Sequence, residues 1–219
     1  MILVDYLSKT IKPITLKTSV ADAIELGLIE SINHLVVIEN QQFIGMLSTE
    51  ILHDSEENTT INDIKSQLES FFLFEHSSLL DTVKFFRKYD TNLIPILNQK
   101  LEYLGYIVID DFIAELSNFP FFMENGVILE IEIPIKNYSL NEVTKIVESN
   151  NLRLFGVLLT ALDENNARIT LKMEGQDLTS VIANFERFGY TIINKYFNDS
   201  KEEELIKDRY NQLMRFLEL

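Results

Sequence analysis

The sequence predicts an α+β chain in which two copies of one small unit precede a domain of different order. Three observations predict it. Residues 19–51 and 78–111 repeat a single pattern, and short apolar β-branched runs alternate with capped amphipathic stretches. The pattern then breaks around Asn118-Phe119-Pro120, with Gly126 soon after, which marks a domain boundary within 118–126.

In the first copy, Ser19 and Asp22 have the spacing of a capping box, with the Ser side chain accepting a first-turn amide. Val20, Ala23, Ile24, Leu26 and Leu28 (with Ile29) follow at helical spacing. Asn33 then precedes the buried-strand run Leu35–Ile38. Gln41-Gln42 makes a polar turn, and Phe43–Leu47, with Gly45 inside it, forms the second arm of a hairpin. In the second copy Ser78 and Asp81 cap a helix whose buried face is Val83, Phe85, Phe86 and Tyr89. Asn92 precedes the strand Leu93–Leu97, and Tyr103–Ile109 carries Gly105. The offset is 59 residues through Asn92 and 60 at Gly105, after one extra residue near Asn98–Lys100. His53–Asn62 is a polar, acid-rich connection leading into a short helix near Ile64–Leu68.

Beyond the boundary, Val127–Ile135 alternates apolar residues with Glu130 and Glu132, the pattern of a strand with one wet face. Ser139 and Glu142 cap a helix through Val143, Ile146 and Val147. Leu152–Leu162 and Ala167–Met173 form a hairpin around Asp163–Asn166. Asp177 caps a second helix, which Gly189 stops in the left-handed conformation, and Tyr190–Asn198 is the last strand. The order is βαββαβ, a ferredoxin-like split βαβ. From Ser200, Leu205, Tyr210, Leu213 and Leu217 predict an amphipathic C-terminal helix, which packs back on the chain or pairs with a partner.

Composition narrows the function. A formal charge of −15, from 34 acidic and 19 scattered basic residues, opposes nucleic-acid binding. With no Cys there is no thiol nucleophile or thiolate metal site. The N-terminus lacks a signal-peptide pattern and no apolar run reaches membrane-spanning length, so a soluble cytoplasmic protein is expected. His34, His53 and His76 lie far apart, and there is no phosphate loop, nucleophile elbow or zinc-hydrolase motif. A non-enzymatic role with no metal follows.

The repeated unit resembles the CBS domain, a β-α-β-β-α module that occurs in tandem pairs. The likeness rests on Pro13–Leu16 with Ser19–Ala23, His34–Ile38 and Gly45–Ser48, matched by Leu93–Ile96 and Gly105–Asp111. It places a pair within residues 1–117, with copies at about 8–55 and 62–117. Residues 126–198 look like an ACT domain, and 200–219 follow as the C-terminal helix. The whole resembles bacterial CBS-pair proteins with an ACT-like C-terminal domain, including the acetoin-utilization regulator type.

That resemblance implies a regulatory module, often dimeric, with an adenosine-containing ligand such as AMP, ADP, ATP or S-adenosylmethionine held in clefts between the copies. The family's pocket motif runs Gly, two apolar residues, Ser or Thr, two residues, Asp. The hydroxyl serves phosphate and the carboxylate serves ribose. Here the motif is split: Gly45 and Ser48 stand with Ile51, and Gly105 and Asp111 stand with Val108. Candidate ligand-binding residues are therefore Ser48 and Asp111, with Ile14, His34 and Pro95. The plainer alternative for Ser48 and for Asp111 is a helix cap. In the ACT-like part, Tyr138 stands where that family commonly has a Gly at the first strand–helix junction, which favours packing or dimerisation over an amino-acid pocket. Two readings follow: a homo-oligomeric ligand sensor acting on an unknown regulated protein, or an interaction scaffold that binds no small molecule.

Overall fold

A computed structural model describes residues 2–175 and 178–197. The expected cap at Asp177, the strand end at Asn198 and the helix over 200–219 lie outside these residues. The chain divides into two compact units, Met1–Leu116 and Ser117–Leu219.

The first unit contains the repeat. Its first copy runs β1 (Ile14–Thr15), α1 (Val20–Glu30), β2 (His34–Glu39), β3 (Gln42–Ser48) and α2 (Thr49–His53). The second runs β4 (Leu73–Phe74), a 3-10 turn at Leu79–Asp81 leading into α3 (Thr82–Tyr89), then β5 (Leu93–Leu97), β6 (Tyr103–Val108) and α4 (Ile109–Ser117). Each copy builds a three-stranded sheet with the first strand parallel and the third antiparallel to the middle one. Register is repeated as well: Ile14 pairs with Val37 as Leu73 pairs with Ile96, and the irregularities fall at Val37/Ile38 and Ile96/Leu97.

The helix boundaries follow from local chemistry. The Ser19 side chain accepts the Asp22 amide at 3.1 Å, and the Ser78 amide donates to the Asp81 carboxylate at 3.2 Å. Both first helices end on a left-handed residue, Ser31 with φ 54° and Asp90 with φ 48°. One expectation needs correction. Leu28 and Ile29 are 67% and 69% exposed, because α1 buries the stripe Val20, Ala23 and Gly27 and both lie off it. Val83, placed on the buried face of the second helix, is likewise exposed.

The copies are also cross-braced. The chain entering copy 1 pairs with β6 of copy 2, through Ser8 and Tyr106 amides and carbonyls at 2.9 and 3.0 Å. The chain entering copy 2 pairs with β3 of copy 1, through Met46 and Glu69 at 2.8 and 2.9 Å. This explains the repeated glycines. A Cβ on Gly45 would lie 2.9 Å from Leu68 Cβ and 3.0 Å from the Glu69 carbonyl, and one on Gly105 would lie 2.7 Å from the Ser8 carbonyl. Leu3 is buried in the core of copy 2 and Ile61 in that of copy 1. The structural repeat thus begins near residue 2, earlier than the residue 8 read from sequence.

The second unit runs α5 (Pro120–Met123), β7 (Val127–Pro134), α6 (Leu140–Ser149), β8 (Leu154–Leu162), β9 (Asn166–Met173), α7 (Thr179–Arg187) and β10 (Thr191–Phe197). Its antiparallel sheet has the order β10-β7-β9-β8. Val127, Leu129, Ile131 and Ile133 are buried with residues of α6 and α7. On the alternate positions, Arg168 reaches Glu132 at 3.1 Å and Glu130 at 3.9 Å. Gly189, at φ 87°, ends α7 in the conformation glycine tolerates best. Tyr138 packs against this core.

Candidate ligand cleft

A pseudo-two-fold relates the two copies and decides where clefts can form. At one end, the Asn33 amide donates to Asn92 Oδ1 at 3.0 Å and the Asn92 amide donates to Asn33 Oδ1 at 2.9 Å. Their side-chain amides complete the pattern, Asn33 Nδ2 donating to the Asp90 carbonyl and Asn92 Nδ2 to the Ser31 carbonyl. At the other end the hairpin turns meet at Gln42 and Glu102. There Phe43 donates to the Leu101 carbonyl and Tyr103 to the Gln41 carbonyl, at 3.1 and 3.0 Å.

On one side of this axis lies a cavity of about 280 Å³ that draws on both copies. Copy 1 contributes Glu30, Ser31 and Ile32 from the end of α1, and the entering chain adds Ser8, Thr10 and Ile11. Copy 2 contributes Tyr106, Val108, Ile109, Asp110 and Asp111 from β6 and the start of α4. Asp111 is exposed in the first turn of α4. The Tyr106 ring is buried, and its hydroxyl accepts from the Ser8 hydroxyl and from the Ile11 amide, each at 3.0 Å. With both lone pairs used, the phenol has only its own proton left to offer. The lining carries three carboxylates, Glu30, Asp110 and Asp111, and neither Lys nor Arg.

The related positions on the other side are filled by the protein itself. Tyr89 stands 59 residues beyond Glu30, and Phe71 follows Glu69 by two residues as Thr10 follows Ser8. The Phe71 and Tyr89 rings stack with centroids 4.2 Å apart and planes 15° from parallel, and His34 meets Phe71 edge-on at 5.6 Å. Phe71 is only 2% exposed. Ile51 stands where the other copy has Asp111, and packs against the same core.

The five candidate residues are therefore not brought together. Asp111 lines the open cavity; Ser48, Ile14, His34 and Pro95 do not. Ser48 caps α2, its side chain accepting the Glu50 amide at 3.1 Å. Ile14 is buried in β1 opposite Val37, and Pro95 is buried in β5 opposite Tyr106. His34 is 5% exposed and opposite Ser48, with Nδ1 3.1 Å from Asn33 Oδ1 and Nε2 3.6 Å from Glu69. Burial holds its imidazole below the ordinary histidine value; the Glu69 carboxylate pulls the other way without prevailing.

Sequence reading missed Thr10, Ile11, Glu30 and Tyr106 as lining residues. The available signal was the cross-bracing glycine: a Gly kept in both third strands marks a close backbone approach, here by the chain that also lines the cleft. Among the described residues there is no group of three or more His, Cys, Asp or Glu arranged to hold a metal ion, and no helix is long and apolar enough to cross a membrane.

No protein-family model matches the chain, and no curated protein matches it. Solved structures similar to it include a CBS domain pair/ACT domain protein from Thermotoga maritima. That one has 15% identity and a TM-score of 0.48, covering 53% of this chain and 96% of that one. Another is the CBS domains of a transcriptional regulator from Streptococcus pneumoniae, at 16% and 0.47, covering 52% and 98%. A third, CBSX2 solved in complex with AMP, has 14% identity and a TM-score of 0.42, covering 52% and 95%. At these identities and scores the likeness says what the chain is similar to, and carries nothing about its ligand or partner.

Proposed function

We propose that residues 2–116 are a CBS-type pair acting as a non-enzymatic regulatory module, with one adenosine-type ligand taken in the Asp111 cleft. The observation that carries this reading is the asymmetry of the two sides: a carboxylate-bearing cavity on one, a stacked Phe71–Tyr89 plug on the other. In this reading the Asp111 carboxylate accepts from ribose hydroxyls, and Thr10 and Tyr106 offer hydroxyls nearby. A volume of about 280 Å³ lies at the small end for ligand pockets, roughly 300–1,000 Å³, and suits a nucleoside better than a polyphosphate.

Charge sharpens the choice. With Glu30, Asp110 and Asp111 and no lining cation, a phosphate would enter a repulsive field. Adenosine or the cationic S-adenosylmethionine is therefore favoured over AMP, ADP and ATP. Ligand binding would regulate by favouring one arrangement of subunits or of a regulated protein, to the extent that its affinity differs between arrangements. Residues 117–197 are proposed as an ACT-like module that serves assembly in a cytoplasmic homo-oligomer. A second reading, an interaction scaffold that binds no small molecule, draws on the plugged Ser48 side and on exposed Leu28, Ile29, Val83 and Ile113.

A thermal-shift panel separates the two. Adenosine or S-adenosylmethionine should raise the melting temperature by linkage, more than ATP does, and Asp111→Ala should abolish the rise. No response to any of these compounds at millimolar concentration would leave the scaffold reading.

A further inference from the structure

The geometry points to a docking edge at β8, and we propose that its occupant is β8 of a second copy of this chain, added antiparallel to extend the sheet. This inference is independent of the ligand reading. β8 is the terminal strand of the order β10-β7-β9-β8, and among the described residues it pairs with β9 alone. Such an edge presents unpaired amides and carbonyls along its length, a template for another strand. Proteins usually guard an edge with a Lys, a Pro or brevity. The opposite edge, β10, carries Asn194 and Lys195. β8 has nine residues, Leu-Phe-Gly-Val-Leu-Leu-Thr-Ala-Leu, with no charge and no Pro.

Exposure agrees. Leu158 to Leu162 are exposed in an unbroken run, with Leu158 at 44%, Leu159 at 42% and Leu162 at 59%. The Leu154–Val157 end is only partly exposed, and Phe121 of α5 covers Gly156: a Cβ there would lie 2.6 Å from its ring. Register irregularities at Leu154/Gly156 and Leu159/Ala161 twist the strand without shortening it.

Charge selects a second copy over an unrelated strand. The uncharged stretch is bounded by Arg153 before it and Asp163 after it. In an antiparallel pairing with Leu158 on the two-fold, Arg153 falls opposite the partner's Asp163, and the same pair recurs at the other end. Arg153 is free to turn toward it, since its side chain is 76% exposed and its contact with Glu174 is a loose 3.8 Å.

Sedimentation velocity and hydrogen exchange on the full chain test the pairing, with Leu158→Lys and Arg153→Glu as variants. Leu158→Lys sets two ammonium groups face to face at the two-fold and should halve the mass of the assembly. Arg153→Glu should weaken self-association about tenfold, and β8 amides should become more protected as concentration rises. A wild-type chain monomeric at all concentrations overturns the proposal, as does a Leu158→Lys protein of unchanged mass. If that variant melts lower at unchanged mass, residues 198–219 of the same chain hold the edge instead, and the proposal fails.

Discussion

Asn33 and Asn92 hold each other across the pseudo-two-fold, each backbone amide donating to the other's side-chain oxygen, at 3.0 and 2.9 Å. The reciprocity is possible because the residues are 59 apart, the offset of the repeat, and each follows a helix ending on a left-handed residue. Sequence duplication has become a physical joint. Removing either side chain strands a partly buried amide on its partner.

Asn33→Ala and Asn92→Ala should each cost roughly 1–3 kcal/mol in urea unfolding. The double variant should cost less than the sum, because both act on one junction. Additive losses, or none, would show that the joint does not couple the copies.

Gly45 and Gly105 make way for the entering chains. Gly105→Ala brings a Cβ to 2.7 Å from a backbone carbonyl, whereas the nearest atom to a Gly45 Cβ is a side-chain carbon at 2.9 Å. Overpacking of this kind costs about 1–3 kcal/mol. Gly105→Ala should be the more destabilising, read as the lower melting temperature. Equal and negligible shifts would remove the cross-bracing from the account.

Phe71 plugs the Ser48 side. Phe71→Ala should destabilise by roughly 3–5 kcal/mol, as expected for a buried Phe, and Phe71→Leu by much less. If Phe71→Ala unfolds near the wild-type urea midpoint, the stack with Tyr89 is not structural.

His34 supplies a pH test with a definite sign. Its folded-state value is lowered by burial, so the unfolded chain binds a proton more readily. The stability of the neutral ring is complete above about pH 6.5 and is lost as pH falls below it. Glu69, Asp90 and Glu50 oppose the shift without reversing it. The stability advantage of wild type over His34→Gln should therefore shrink between pH 7.5 and pH 5. A growing advantage would mean that the Glu69 ion pair dominates.

Much of this architecture could be read from the residues. Ser19, Ser78 and Ser139 announced three helices because an N-cap is a local event, and β-branched runs placed β2 and β5. Harder to read was anything that depended on which chain segment meets which. Ser48 and Asp111 look like halves of one motif, yet the two-fold sets them on opposite sides. The plug on the Ser48 side comes from Phe71 and Tyr89, whose apolar spacing suggested only a core. Thr10 and Glu30 reach the cleft through the cross-bracing, which no local pattern encodes. The exposure of Leu28 and Ile29 was hidden for the same reason: periodicity shows a helix is amphipathic, but neighbours decide how wide its buried stripe is.

Isothermal titration of adenosine and of S-adenosylmethionine into the full chain tests the central claim, one open cleft in a duplicated fold. The account predicts one site per chain for the compound that binds, lost in Asp111→Ala and retained in Ser48→Ala. Two equivalent sites per chain, or binding that survives Asp111→Ala, would contradict it.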